Sequence, residues 1–202
     1  MAFPRTYHNL TLLADGTVLA TGGGPTTDPV GVDNAVSHAE LWSPVTETWS
    51  TMASMQKPRL YHSTALLLPD GSVLAAGGGR FCCDYITPTD QPSSEIYSPP
   101  YLFKGARPTI SSAPATATYG GTIAVQTPDA ARIAAVSLIR LGAVTHAFNH
   151  NQRFLQLPFT AVSGALNVQT PANANLAPPG YYMLFILDTH GVPSVAAILK
   201  LQ

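Results

Sequence analysis

The chain repeats itself, and that repeat limits what it can fold into. Pro4-Arg5-Thr6-Tyr7-His8 recurs as Pro58-Arg59-Leu60-Tyr61-His62, and Asp15-Gly16-Thr17-Val18-Leu19-Ala20 recurs as Asp70-Gly71-Ser72-Val73-Leu74-Ala75. Gly22-Gly23-Gly24 matches Gly77-Gly78-Gly79, and Ala39-Glu40-Leu41-Trp42-Ser43-Pro44 matches Ser94-Glu95-Ile96-Tyr97-Ser98-Pro99. The offset is 54 before the Asp-Gly pair and 55 after it, the second copy carrying one extra residue at or beside Pro69. Each copy reads as antiparallel strands. Leu10 to Leu13 is a strand candidate, and Asp15-Gly16 supplies a hairpin turn tolerant of positive φ. Thr17 to Thr21 returns as a second strand and runs into glycines, which admit a close backbone approach that a side chain would block. Glu40 to Trp42 begins a third strand and Trp49 an outer fourth.

A period near fifty residues is that of a propeller blade. Strand, Asp-Gly, strand, Gly-Gly and spaced aromatics in that order resemble the kelch repeat over about residues 1–104. Closing a propeller takes roughly four to eight blades, so two copies leave an open strand edge. The expectation is a piece of a longer protein, with self-association through the open edge as the alternative.

Beyond Ala106-Arg107-Pro108 the repeat stops. Short β-patterned runs follow at Thr122–Val125, Ala134–Ile139, Gln152–Leu157, Ala165–Val168, Tyr181–Leu187 and Ser194–Leu199, with Pro178-Pro179-Gly180 and Asp188 to Gly191 as turns. Six or seven short strands over residues 105–202 fit an immunoglobulin-like sandwich. The predicted fold class is therefore all-β, a partial propeller of about two blades followed by a sandwich. The 16 glycines and 18 prolines fall between apolar runs, as punctuation rather than low complexity. Charged residues make up 10% of the chain and the net charge is −1, which gives no basic footprint for nucleic acid. The apolar runs are too short to span a bilayer, and Met1 to Arg5 opens no visible signal peptide.

Ser137-Leu138-Ile139-Arg140 leading to Thr145-His146 and Gln152-Arg153 resembles the C-terminal domain of the galactose oxidase/glyoxal oxidase family. So does Pro179 to Phe185 followed by Gly191 to Ala196. Arg59-Leu60-Tyr61-His62-Ser63, running to Leu67-Leu68-Pro69-Asp70-Gly71 and the triple glycine, is similar to the same family, and the likeness is collinear over essentially the whole chain. Members of that family are copper-radical oxidases, mostly secreted, that oxidise primary alcohols, carbohydrates or aldehydes and reduce dioxygen to peroxide. One copper ion is held there by two histidines and two tyrosines. The resemblance makes Tyr61 the axial ligand and proton acceptor, and His62 and His146 the imidazole ligands. Copper(II) suits such a tetragonal set of nitrogen and oxygen donors.

Adjacent residues of an ideal strand point to opposite faces, so Tyr61 and His62 can serve one ion only at a bulge or strand end. His146 sits in a loop, Gly142 to Asn151, long enough to reach away from the sandwich. Tyr7-His8 occupies the same repeat position as Tyr61-His62. One axis holds one ligand set, so this earlier pair is an internal decoy that packs near the site. His38, His150 and His190 lie in polar turns and read as solvated.

The family's redox cofactor, a tyrosine joined to a cysteine by a thioether, lies upstream of the region matched here. Cys82-Cys83 with Tyr85 offers no substitute, because they fall in a loop where the family has a cysteine pair of its own. Adjacent cysteines also bond to each other only with strain. The expectation is a portion of an oxidase that carries three of four protein ligands and is inactive alone. A non-catalytic glycan- or protein-binding module, or a pseudo-enzyme with an incidental metal site, are the competing readings.

Overall fold

The computed structural model describes residues 1–26, 32–79 and 90–202. They form β-structure without an α-helix. The strands are β1 (Thr6–Leu12), β2 (Val18–Gly24), β3 (His38–Ser43), β4 (Thr48–Ser54), β5 (Ser63–Leu67), β6 (Val73–Gly77) and β7 (Ser94–Tyr97). After them come β8 (Thr116–Ala117), β9 (Thr122–Gln126), β10 (Ile133–Arg140), β11 (Val144–Thr145) and β12 (Phe148–Asn149). The last are β13 (Phe154–Gln156), β14 (Phe159–Val162), β15 (Ala165–Gln169), β16 (Gly180–Asp188) and β17 (Ala197–Leu201). Among the described residues no helix is long and apolar enough to cross a membrane.

Two compact units share the chain. The first comprises Met1–Leu68, Val73–Tyr97 and Gly142–Asn151. Its sheets are the two repeat copies, in the antiparallel orders β1-β2-β3-β4 and β5-β6-β7, and the two-stranded pair β11-β12. The tip between β1 and β2 is set by Asp15, whose Oδ1 accepts from the Thr17 N–H (3.0 Å) and the Thr17 hydroxyl (2.6 Å), with Gly16 at φ 84°. Short polar side chains at such tips mimic a backbone turn. Leu13, Leu19, Ala20 and Ala39 of the first copy and Ala65, Val73 and Ala75 of the second are buried. Alanine dominates there because facing sheets this rich in glycine leave room for little else.

Each copy is also stapled by an ion pair from the same repeat position. Arg5 donates to Glu40 through Nε (3.0 Å) and Nη2 (2.9 Å), and its Nη1 donates to the Gly22 carbonyl (2.7 Å). Arg59 repeats this with the Gly77 carbonyl (2.9 Å) and Glu95 (3.2 Å). A planar guanidinium can serve a carboxylate and a backbone carbonyl together, which ties the glycine-rich strand to the carboxylate of the next strand in each copy.

The second unit comprises Pro69–Ser72, Ser98–Leu141 and Gln152–Gln202. It holds the sheet β13-β10-β16-β17-β8, in which β17 and β8 run parallel, and the antiparallel sheet β14-β15-β9. Both sheets feed one core, with Val125, Leu166 and Val168 from the smaller and Val136, Leu138, Leu184, Ile186 and Leu199 from the larger. Each such side chain contributes about 1.5–3 kcal/mol on burial. Tyr182 joins them and spends its hydroxyl on the Pro178 carbonyl at 2.6 Å.

The expected last strand at 194–199 begins only at Ala197. Pro193 makes an isolated bridge to Leu187 and the Ser194 N–H donates to the Ile186 carbonyl (2.9 Å), but the ladder is then interrupted before Leu184↔Ala197. Beside the interruption Arg107 donates to the carbonyls of Pro193 (2.8 Å) and Ser194 (2.6 Å). A further strand, β14, arises because Ser163-Gly164 closes a two-residue hairpin onto β15, pairing Val162 with Ala165 and placing Gly164 at φ 73°.

Candidate metal centre

Tyr61 and His62 form the turn that enters β5. The residues before them are immobilised: Arg59 is 1% exposed and Leu60 3% exposed. The Leu60 carbonyl accepts from the Ser63 N–H at 2.9 Å, and the Tyr61 carbonyl from the Gly79 N–H at 2.9 Å. Within that clamp His62 takes φ 64°. Non-glycine residues rarely adopt this left-handed conformation, which costs about 1–2 kcal/mol. It turns the imidazole to the side occupied by Tyr61, and the two ring centroids lie 4.1 Å apart. The strand-end geometry required of adjacent ligands is therefore present.

His146 arrives from a second strained turn. β11 and β12 pair Val144 with Asn149 and Thr145 with Phe148, leaving His146-Ala147 as a two-residue loop. Both loop residues have positive φ, 54° and 61°, as a type I′ hairpin turn demands and as Asn-Gly ordinarily supplies. The Ala147 N–H donates to the Ser63 carbonyl at 3.1 Å, which fastens the loop beside β5. Thr145 Oγ1 and His146 Nδ1 are 2.7 Å apart, so the ring nitrogen that this bond leaves over is Nε2.

The three side chains converge. The His146 ring lies 4.7 Å from that of His62 and 5.4 Å from that of Tyr61. With metal–imidazole bonds of about 2 Å, two imidazoles set cis on one ion place their centroids about 4–5 Å apart. Both histidines are exposed and Tyr61 is half-buried, so the cluster is open to solvent on its donor side. Two imidazoles and a phenol are the nitrogen and oxygen donors that copper(II) favours. Among the described residues no three His, Cys, Asp or Glu side chains gather as a metal-binding group.

Tyr7 and His8 part company. The Tyr7 ring stands edge-on to Tyr61 at 5.3 Å and 70°, and Tyr7 has φ 55°. Burial, with the Arg5 guanidinium second, holds the His8 imidazole below its usual pKa, which keeps it neutral. Asn9 Nδ2 donates to Ser63 Oγ at 2.9 Å in a buried contact. The roles of Tyr7 and Asn9 against Tyr61 and Ser63 were hidden in sequence; the only signal was their shared repeat position. His38, His150 and His190 are exposed. His38 stacks on Phe3 at 5.1 Å and His150 meets Phe148 edge-on at 4.8 Å. Cys82, Cys83 and Tyr85 lie outside the described residues.

Comparison with known proteins places the chain among relatives. Residues 107–201 match the galactose oxidase-like, early set domain family. A galactose oxidase of Gibberella zeae is 35% identical over 98% of this chain and 29% of its own length. An aldehyde oxidase GLOX of Vitis pseudoreticulata is 31% identical over 100% of this chain and 42% of its own length. The solved structure of a fungal alcohol oxidase in complex with copper superposes with a TM-score of 0.91 at 31% identity, covering 98% of this chain and 42% of that one. The chain thus spans less than half the length of each of these relatives. A matched early set domain and full-length similarity to enzymes of both kinds lead to one statement: the chain belongs to the galactose oxidase/glyoxal oxidase family.

Proposed function

We propose that the chain is a portion of a secreted copper-radical oxidase acting on a primary alcohol, a carbohydrate or an aldehyde, with two kelch-type blades over residues 1–104 and an immunoglobulin-like sandwich over 105–202. The observation that supports it is the convergence of Tyr61, His62 and His146 from two strained turns, with centroid separations of 4.1, 4.7 and 5.4 Å. Backbone strain of this kind persists where surrounding structure enforces it, and it clusters at functional sites.

Copper(II), when bound by these residues, supplies a one-electron redox centre and a Lewis acid. Everything else is the work of the chain. His62 and His146 would hold the ion through their imidazole nitrogens, each presented from a turn with positive φ. Tyr61 would take up the proton of a substrate hydroxyl at Oη, the general-base role that the family resemblance implies for it. Thr145 holds the His146 ring through Nδ1, the outer partner that orients most metal-bound imidazoles. The thioether-linked tyrosine–cysteine pair of the family belongs to the part of the relatives that this chain does not span, so the isolated chain binds copper without turning over substrate.

The test is a copper(II) titration of the purified chain followed by electron paramagnetic resonance. A 1:1 tetragonal signal is expected, with affinity lowered at least about tenfold in His62→Ala and in His146→Ala and nearly unchanged in His8→Ala. Equal losses from His8→Ala and His146→Ala would overturn the ligand assignment. Weak, heterogeneous binding in the unaltered chain would favour a binding module instead.

A further inference from the structure

We propose that Tyr7 and Asn9 of the first repeat are positioning residues for the Tyr61–His62 pair, so that one copy of the repeat builds the donor pair and the other holds it in place. The inference rests on reading Tyr61 and His62 as ligands, and it adds a cause for their geometry.

Each of the two contacts joins a residue to its own repeat equivalent. Tyr7 meets Tyr61 edge-on at 5.3 Å, and Asn9 Nδ2 donates to Ser63 Oγ at 2.9 Å across a sequence separation of 54. Asn9 is 3% exposed and Ser63 is 1% exposed. That hydrogen bond is therefore shielded from water, and losing it leaves a buried polar atom without a partner.

Ser63 is well placed to transmit the restraint. It follows His62 directly, its N–H returns to the Leu60 carbonyl at 2.9 Å, and its carbonyl accepts from the Ala147 N–H at 3.1 Å, next to His146. Fixing Ser63 therefore bears on both histidines. Tyr7 acts on the phenol. The pairing of β1 with β2 passes from Thr6↔Gly24 to His8↔Gly22, so Tyr7 stands out of the ladder at φ 55°. That irregularity delivers its ring to the edge of Tyr61, and edge-to-face aromatic pairs have a preferred orientation. A strained tyrosine spent on holding another tyrosine is hard to account for by core packing, because Tyr7 is only half-buried.

The experiment compares the full chain with Tyr7→Ala, Tyr7→Phe, Asn9→Ala and, as a control, Leu19→Ala. Leu19 is a fully buried residue of the same sheet, paired with Thr11 rather than with Tyr7 or Asn9. Two readouts are taken well below the melting temperature: ring resonances of Tyr61, His62 and His146 in the metal-free chain, and copper(II) affinity with its paramagnetic resonance spectrum. Tyr7→Ala and Asn9→Ala should shift the metal-free ring resonances, weaken copper binding about tenfold and alter the copper hyperfine pattern. Tyr7→Phe should restore most of each. Leu19→Ala should lower the melting temperature and move neither readout. Unchanged resonances and affinity in Tyr7→Ala and Asn9→Ala, or the same changes in Leu19→Ala, would overturn the proposal. If the unaltered chain takes up no copper, the ligand reading fails, and the metal-free resonances alone decide whether the positioning stands.

Discussion

At the scale of single residues, the first repeat carries a more costly ion pair than the second. The Arg5 and Glu40 side chains are 0% and 1% exposed, whereas Glu95, the equivalent of Glu40, keeps 25%. Breaking a fully buried pair from one side strands the other charge. Glu40→Gln should therefore cost about 3–5 kcal/mol and Glu95→Gln about 1–2 kcal/mol, as read from urea unfolding. Burial opposes ionisation of Glu40, but the Ala2 N–H and the Arg5 guanidinium outweigh it and hold the carboxyl below the usual range. A depressed carboxyl gives stability that is present above its unfolded pKa, near 4.5, and is lost as pH falls through the folded value. His8 is depressed too, so its contribution is present above 6.5 and is lost as pH falls from there towards its folded value. Melting temperatures measured from pH 8 to pH 3 should therefore decline in two stages, and Glu40→Gln should flatten the lower one. Some decline below pH 4 will persist there: burial opposes ionisation of Asp70 but hydrogen bonds from Ser72 outweigh it, and the Thr109 N–H and Arg132 hold Asp129 low. The positive φ of Tyr7, His62 and His146 could not be read from sequence, since these residue types seldom adopt it. Tertiary contacts impose it.

At the scale of elements, Gly22 within β2 and Gly164 in the β14–β15 turn separate close approach from mere turn geometry. A Cβ on Gly22 would stand 2.2 Å from the Arg59 carbonyl oxygen, at φ 69°. On Gly164 it would meet nothing within 4 Å, at φ 73°. Gly22→Ala should accordingly cost about 3 kcal/mol or more, combining left-handed strain with a clash. Gly164→Ala should cost about 1 kcal/mol. Comparing their chemical unfolding midpoints checks the difference. Strands announced by an Asp-Gly tip or an unbroken apolar run were legible: β1, β2, β9, β10, β15 and β16 lie within a residue or a few of where the pattern puts them. β14 escaped notice because Phe159–Val162 is short and follows a proline. The pattern starts β17 at Ser194, three residues early, because an interruption in the ladder after the Leu187–Pro193 bridge leaves no mark in the apolar run.

At the scale of the whole molecule, the chain's detour at Gly142–Asn151 carries His146 into the first unit while the strands on either side of it belong to the second. The Arg140 N–H donates to the Arg153 carbonyl at 3.0 Å, so the detour leaves and returns through one hairpin neck. No residue of 142–151 enters the second unit's core. Replacing that segment with a two-residue Asn-Gly turn should leave the near-ultraviolet circular dichroism of the second unit's buried tyrosines intact and abolish the tetragonal copper signal. Loss of both would show that the detour is part of that unit's fold. The resemblance of Thr145-His146 to the family made this loop visible; its hairpin form was not. The pairing of Tyr7 with Tyr61 and of Asn9 with Ser63 reaches further. Duplicated segments usually drift apart independently, each answerable to its own surroundings. Here each copy is part of the other's surroundings, so a substitution in one changes which substitutions its twin can accept. Exchanging either copy for a foreign segment should therefore fail at these two positions first.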